Sequence, residues 1–203
     1  QIVLAGAGIN LERYKMQPYP KHTRIHFLYL GRIMKEKGID ELFYAVRHLK
    51  KENENFVLDL VGFFEDEYKE QVKELEKHSI AHFYGFQSDP RPFYIEADCV
   101  VLPSYHEGMS NVLLEAAATG RPVVTSNIPG CRESVENGKS GLLVEVKNKE
   151  MLYDAMKEML HCSREEREQM GQAGREKMER EFRKEVVVEK TVQSLRGDEK
   201  RDF

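Results

Sequence analysis

The chain has 203 residues, 40% hydrophobic and 33% charged, with a formal net charge of -4. That balance describes a soluble globular protein of one or two domains and excludes collagen, a disordered tail and a disulfide scaffold. A chain near this length buries roughly 70% of its unfolded surface without a metal or disulfide staple. No apolar run approaches the about 20 residues that span a bilayer, and the mild acidity supplies no field for nucleic acid.

In chain order, the first residue is Gln1, and Ile2-Val3-Leu4 reads as the end of a buried strand, so the chain looks like the second part of a larger protein. Gly6-Ala7-Gly8 imitates the opening of a dinucleotide-binding turn, but Leu11 stands where the third glycine belongs. The polar, proline-bearing stretch from Asn10 to Pro20 does not open a helix, so a plain turn leaving a strand is the better reading. Strands are expected at Ile25 to Leu30, Phe56 to Val61, Ala81 to Tyr84, Cys99 to Leu102, Val123 to Thr125 and Leu142 to Val144. Several are apolar without alternation, as in strands covered on both faces. Between them lie helical stripes, Leu42-Phe43-Val46-Leu49 in one spacer and Val72 with Leu75 in the next. Alternation of this kind predicts an α/β fold with a doubly wound parallel sheet, whose ligand sits at the carboxyl ends of the strands.

After residue 161 the character changes, with 22 of the last 43 residues charged against 44 of the first 160. Arg164 to Phe182 reads as surface helices with Met170, Met178 and Phe182 available for packing, and a polar tail is expected from Gly197. Cys99, Cys131 and Cys162 are odd in number and scattered, which suits buried or inert thiols in a reducing compartment. Neither they nor the seven histidines show a metal-ligand spacing, so no metal is expected.

Two loops carry the chemistry. Gly31-Arg32-Ile33-Met34-Lys35-Glu36-Lys37-Gly38 follows the first long strand and precedes a helix, the arrangement that offers backbone N–H groups and cations to phosphate. Arg32 can fork two donors onto phosphate oxygens, and Lys37 adds a movable point charge. The second loop runs from Pro103 to Asn111 and enters a helix expected over Val112 to Ala118. Gly108 permits a tight turn there, Ser110 or Asn111 can cap, and the helix N-terminus favours an anion. Glu107 before that helix and Glu115 within it suit a ligand carrying hydroxyls beside its phosphates, because carboxylates accept hydrogen bonds from sugar hydroxyls.

With the Glu-x7-Glu element from Glu107 to Glu115 and the Gly31-Arg32…Lys37-Gly38 loop upstream, the chain resembles the carboxyl-terminal donor domain of retaining glycosyltransferases of the GT-B fold, the family 4 or glycosyl transferases group 1 enzymes. The likeness extends to Gly8-Ile9-Asn10-Leu11, Tyr84-Gly85-Phe86, Ala116 to Val124, Gly138 and Gly141 to Val144. It is closest to enzymes of bacterial capsule, exopolysaccharide or lipid-linked oligosaccharide synthesis. The resemblance implies a Rossmann-like, C-terminal half of a GT-B fold, with a donor-binding domain over residues 1–182 and a helix and polar tail over 183–203. It implies that Arg32 and Lys37 neutralise the donor diphosphate and that Glu107 lies near the donor sugar, with His106 beside it. Glu115 would receive the ribose hydroxyls. Gly31 and the turn Gly108, Met109, Ser110, Asn111 would meet sugar and phosphate, and Tyr84, Gly85 and Phe86 would position the base.

One departure stands out: many members have a Gly-x-Gly-Pro turn after the second strand, and this chain has Gly62-Phe63-Phe64-Glu65. The implied reaction is glycosyl transfer with retention from a nucleotide-diphospho-sugar, a UDP-sugar by analogy, to a saccharide or lipid-linked acceptor. The acceptor, and any membrane contact, would be met by an amino-terminal domain outside this chain, in the cytoplasm or at the inner face of the membrane. This chain alone would be inactive, with no cofactor and no nucleic-acid partner. The alternatives are a non-catalytic nucleotide-sugar-binding module and a sugar-nucleotide epimerase of the same layout.

Overall fold

The computed structural model describes residues 8–52 and 54–198. The strand expected at Ile2-Val3-Leu4, and Gly6 and Ala7 of the turn after it, lie outside the described residues. Six strands, β1 (Ile25–Leu30), β2 (Phe56–Val61), β3 (Ala81–Phe83), β4 (Cys99–Leu102), β5 (Val123–Ser126) and β6 (Gly141–Val144), form one sheet in the order β3-β2-β1-β4-β5-β6. Every pairing is parallel. The doubly wound sheet predicted from the sequence is therefore present, with its strand ends shifted by a single residue at β3, β5 and β6. Chain order reverses between β1 and β4, so the loops leaving these two neighbours diverge and leave a crevice at their carboxyl ends.

Helices α1 (Ile39–Lys51), α2 (Lys69–Lys77), α3 (Arg91–Glu96), α4 (Asn111–Thr119), α5 (Lys149–His161), α6 (Arg164–Lys177) and α7 (Lys184–Asp198) complete the fold. The α1 stripe is realised as expected, with Leu42, Phe43, Val46 and Leu49 buried, each such burial being worth roughly 1.5–3 kcal/mol. Helix α5 packs on α1, and Glu52, which caps α1, joins the two by accepting from Tyr153 Oη at 2.5 Å and Lys157 Nζ at 2.6 Å. Helix α4 packs against α3 and α6 on the other side.

The charged carboxyl-terminal fifth is more deeply tied into the fold than the surface helices expected from its composition. In α6, Arg167 and Lys177 are buried with Gly171 and Gly174, and its arginines act as clamps on backbone carbonyls. Arg175 Nη1 donates to Tyr14 O at 2.9 Å and Ala118 O at 2.8 Å, and Arg167 Nη1 donates to Met159 O at 2.9 Å. A single wider turn over Met178–Phe182 then buries Met178 and Phe182 and ends α6. Helix α7 runs through Gly197 to Asp198, so the tail does not begin at Gly197. One glycine in a last turn costs about 1 kcal/mol, too little to stop an established hydrogen-bond ladder.

Residues 8 to 24 carry no helix, as expected, and lie as a strap across the fold. Ile9 N donates to Phe182 O at 2.7 Å, and Asn10 Oδ1 accepts from the N–H groups of Glu12 and Arg13, each at 3.0 Å. The strap is anchored by Arg121, which is fully buried. Its guanidinium donates to Tyr94 O at 2.8 Å, Pro18 O at 2.8 Å, Ile95 O at 3.0 Å, Gly120 O at 3.2 Å and Gln17 O at 3.4 Å. Tyr94 and Ile95 end α3 and Gly120 ends α4, so the cation sits where two helix dipoles are negative. Deleting the guanidinium leaves several buried carbonyl oxygens unpaired at roughly 1–3 kcal/mol each, about 3–5 kcal/mol together after relaxation. Arg121→Ala is expected to lower the free energy of unfolding by that amount in urea titration. Arg121→Lys is expected to recover only part of it, because three rotatable donors replace a planar fork of five.

Candidate functional site

The loop leaving β1 closes with a short 3-10 turn over Lys35–Lys37 and then Gly38, whose φ is 73°. This left-handed residue also starts α1. A Cβ here would lie 2.1 Å from Pro103 O, so only glycine allows the β1 loop to close on the β4 loop. Tyr105 N donates to Glu36 O at 2.8 Å, sewing the two loops together, and Tyr105 Oη donates to Glu41 at 2.8 Å. This contact brings the two sequence-predicted motifs together.

At their meeting point Lys37 Nζ lies 2.6 Å from Glu107 Oε1, and Ser104 Oγ donates to the same oxygen at 2.8 Å. The Lys37 and Glu107 side chains are only 16% and 15% exposed, so this pair is shielded far more than a surface one. Below them Tyr29 is buried, and its hydroxyl donates to Arg32 O at 2.5 Å, fixing the backbone of the β1 loop. Burial first, and then the charge of Glu107, pushes the Tyr29 phenol well above its ordinary pKa.

The turn from Glu107 to Ser110 is held from behind by the loop after β5. Ser110 N donates to Gly130 O at 3.0 Å, and a Cβ on Gly130, whose φ is 87°, would lie 1.7 Å from Gly108 O. Ser110 caps α4 with no side-chain hydrogen bond. The first intrahelical bond runs from Leu114 N to Ser110 O at 3.2 Å, so the N–H groups ahead of it face the crevice as donors. Gly108 and Asn111 are exposed, Met109 is half-buried, and His106 is exposed beside Glu107.

Glu115 lies one turn further along α4 and faces different neighbours from Glu107. Tyr94 Oη donates to Glu115 Oε2 at 3.0 Å. Burial lifts the Glu115 carboxyl above its ordinary pKa, while the hydroxyls of Tyr14 and Tyr94 oppose that rise. Tyr14, pushed up to about 12 chiefly by burial, also lines a groove of about 480 Å³ with Arg13, Gln17, Asp89, Arg91 and Ile95.

The third expected element sits two strands from β1. Tyr84 N donates to Leu60 O and Gly62 N to Gly85 O, both at 2.9 Å, which fixes the Tyr84-Gly85-Phe86 turn against the end of β2. Tyr84, Phe86 and Phe63 are 42%, 71% and 48% exposed, with the Phe63 and Phe86 rings 6.5 Å apart. Phe63 belongs to the segment that departs from the family pattern, and its exposed ring is an addition to the expected set.

Arg32 is not free. Its Nη1 lies 2.8 Å and 3.2 Å from the two oxygens of Glu65. Tyr14, Tyr94, Gly130 and Glu65 are site neighbours that sequence reasoning passes over because each enters from a separate element, while Ser104 lies inside the second loop and is given no role of its own there. Only Glu65 left a signal, in the altered turn after β2. Among the described residues no group of His, Cys, Asp or Glu is arranged to hold a metal ion. Cys99 and Cys131 are buried, and burial raises both thiols, Cys131 to about 11.

A family model for glycosyl transferases group 1 matches residues 12–177. The chain is 28% identical over 193 residues to the capsular polysaccharide biosynthesis glycosyltransferase CapM of Staphylococcus aureus, covering 90% of this chain and 50% of that protein. Among solved structures, sucrose-phosphate synthase from Thermosynechococcus elongatus matches with a TM-score of 0.79 and 25% identity over 94% of this chain and 51% of that one. HepE of Anabaena, solved in complex with UDP, matches with a TM-score of 0.78 and 19% identity over 94% of this chain and 56% of that one. The chain thus spans about half the length of these relatives. With the two motif loops joined at the switch point of a Rossmann-like sheet, the family match over most of the described residues leads to one assignment: the chain belongs to the glycosyl transferases group 1 family.

Proposed function

We propose that this chain binds the nucleotide-diphosphate end of an activated sugar in the crevice between β1 and β4. The protein it belongs to then transfers the glycosyl group, with retention, to a saccharide or lipid-linked acceptor in surface polysaccharide synthesis. The observation that carries this reading is the shielded Lys37–Glu107 contact beside the uncapped N-terminus of α4. A cation, a carboxylate and free N–H groups converge there as a sugar diphosphate requires. UDP is the favoured nucleotide, because one fold neighbour holds UDP.

In this reading the α4 N-terminus and Arg32 take the diphosphate, and Lys37 meets the charge that develops as the sugar–phosphate bond breaks. No protein nucleophile is used: the leaving phosphate helps to take the acceptor proton from the same face of the sugar. The chain contributes positioning and preorganised charge, which act strongly where water is excluded. Ser104 and Lys37 together orient Glu107 toward the sugar hydroxyls. Glu115, held by Tyr94, accepts from the ribose, and Tyr84, Gly85 and Phe86 seat the base. The acceptor is met by another domain, as is any membrane surface, and this chain alone carries no transfer. No helix among the described residues is long and apolar enough to cross a membrane.

Three outcomes test this reading in the complete transferase. Lys37→Ala is expected to lower turnover at saturating donor about 100-fold or more, since one donor to a transition-state oxyanion is worth roughly 2.7–4 kcal/mol. Near wild-type turnover would remove Lys37 from the reaction. Glu107→Gln is expected to change donor-sugar preference and donor KM more than the pH profile, as competition assays between UDP-sugars would read out. The raised pKa of Glu115 means that its ionised form is lost as pH falls through a value above the ordinary carboxylate range. UDP affinity is therefore expected to weaken over that interval, and Glu115→Gln to flatten the profile in calorimetry.

A further inference from the structure

The loop after β2 is stitched to the loop after β1 along its whole length. Gly31 N donates to Val61 O at 2.9 Å, Ile33 N to Phe63 O at 2.8 Å, and Glu65 N to Ile33 O at 3.1 Å. The Asp66 carboxylate then accepts from Lys35 N at 2.8 Å. These bonds are backbone-directed, so the position of Glu65 beside Arg32 is set by the fold and not by the free choice of two long side chains. The outcome is one guanidinium nitrogen shared between both oxygens of one carboxylate, with the side chains 48% and 43% exposed at the mouth of the crevice.

We propose that Glu65 is a built-in competitor for Arg32. It holds the guanidinium in the donor-free state, must be displaced by the diphosphate, and thereby sets the affinity of the chain for its nucleotide. This rests on the reading of Arg32 as a diphosphate ligand. The displacement is physically accessible because the pair is solvent-exposed, and an exposed ion pair holds weakly. A diphosphate offers Arg32 charge-assisted bonds to two of its nitrogens, where Glu65 engages one, with more negative charge behind them. Glu65 remains pinned by its backbone and moves only its side chain into water. Its cost to binding is therefore the lost ion pair together with the proximity of one fixed negative charge to the arriving phosphates. A neutral side chain at position 65 would leave Arg32 free from the start.

The test is UDP titration by calorimetry, at fixed low ionic strength, of the wild-type chain, Glu65→Gln, Arg32→Ala and the double variant. Glu65→Gln is expected to tighten UDP about two- to five-fold, the range that corresponds to an exposed ion pair. Arg32→Ala is expected to weaken UDP about tenfold or more. In the Arg32→Ala background, Glu65→Gln is expected to change the affinity by less than about half of its effect in the wild type, because the two residues act through one contact. If Arg32→Ala weakens UDP but Glu65→Gln leaves it unchanged or weaker, the competitor role is overturned and the diphosphate reading stands. An equal gain from Glu65→Gln in both backgrounds also overturns it, since the effect is then general charge repulsion without Arg32. If Arg32→Ala leaves UDP affinity untouched, or the wild-type chain does not bind UDP, the underlying reading fails and the competitor role falls with it.

Discussion

The crevice depends on one close approach, the backbone of Gly38 against the carbonyl of Pro103. Loops leaving β1 and β4 turn to opposite sides of the sheet by topology, and without a contact at their roots they would part. At 2.1 Å there is no room for a Cβ, and the left-handed φ of 73° allows the same residue to end one short helix and begin another. The meeting of the two loops at the site follows from that closure. Lys37, the residue before Gly38, is delivered to Glu107, four residues after Pro103, and the hydrogen bond from Tyr105 to Glu36 locks the approach.

Around this closure the molecule uses two kinds of charge. At the rim, cations meet carboxylates: Arg32 with Glu65 and Lys37 with Glu107, pairs that a ligand can reorganise. In the base, cations reach backbone carbonyls: Arg121 donates only to carbonyls, and Arg175 donates to two of them while its Nε pairs with Glu179. The carbonyl clamps bind the strap of residues 8 to 24 to the ends of α3, α4 and α6. Tyr14 lies on that strap, and its hydroxyl opposes the burial-driven rise of Glu115, so the anchoring also reaches the ribose end of the proposed site.

The sheet was legible because its strands are short runs of apolar and β-branched residues without alternation, which in this length range have few other destinations. The crevice was legible because glycine-bounded loops at Gly31 to Gly38 and Pro103 to Asn111 each follow such a strand. What lay beyond the sequence are contacts whose partners enter from different elements. Glu65 meets Arg32 only because β2 lies beside β1, and Tyr94 meets Glu115 only because α3 packs on α4. The mixed charges of α6 misled for a related reason. Arginines that reach carbonyls of a distant strap have the same composition as arginines in water, and the difference appears only once the strap is in place.

The carbonyl cage of Arg121 has a consequence for how the fold comes apart. Amide oxygens do not titrate, so this anchor keeps its partners at any pH short of deprotonating a guanidinium. The pairs at the mouth of the crevice rest instead on contacts between two side chains, Arg32 with Glu65 and Lys37 with Glu107, and either can part without moving the backbone. Rearrangement at the mouth of the crevice therefore leaves strap, α3, α4 and α6 clamped. The chain has, in effect, a rearrangeable lip mounted on a fixed block, and the two parts can be undone separately.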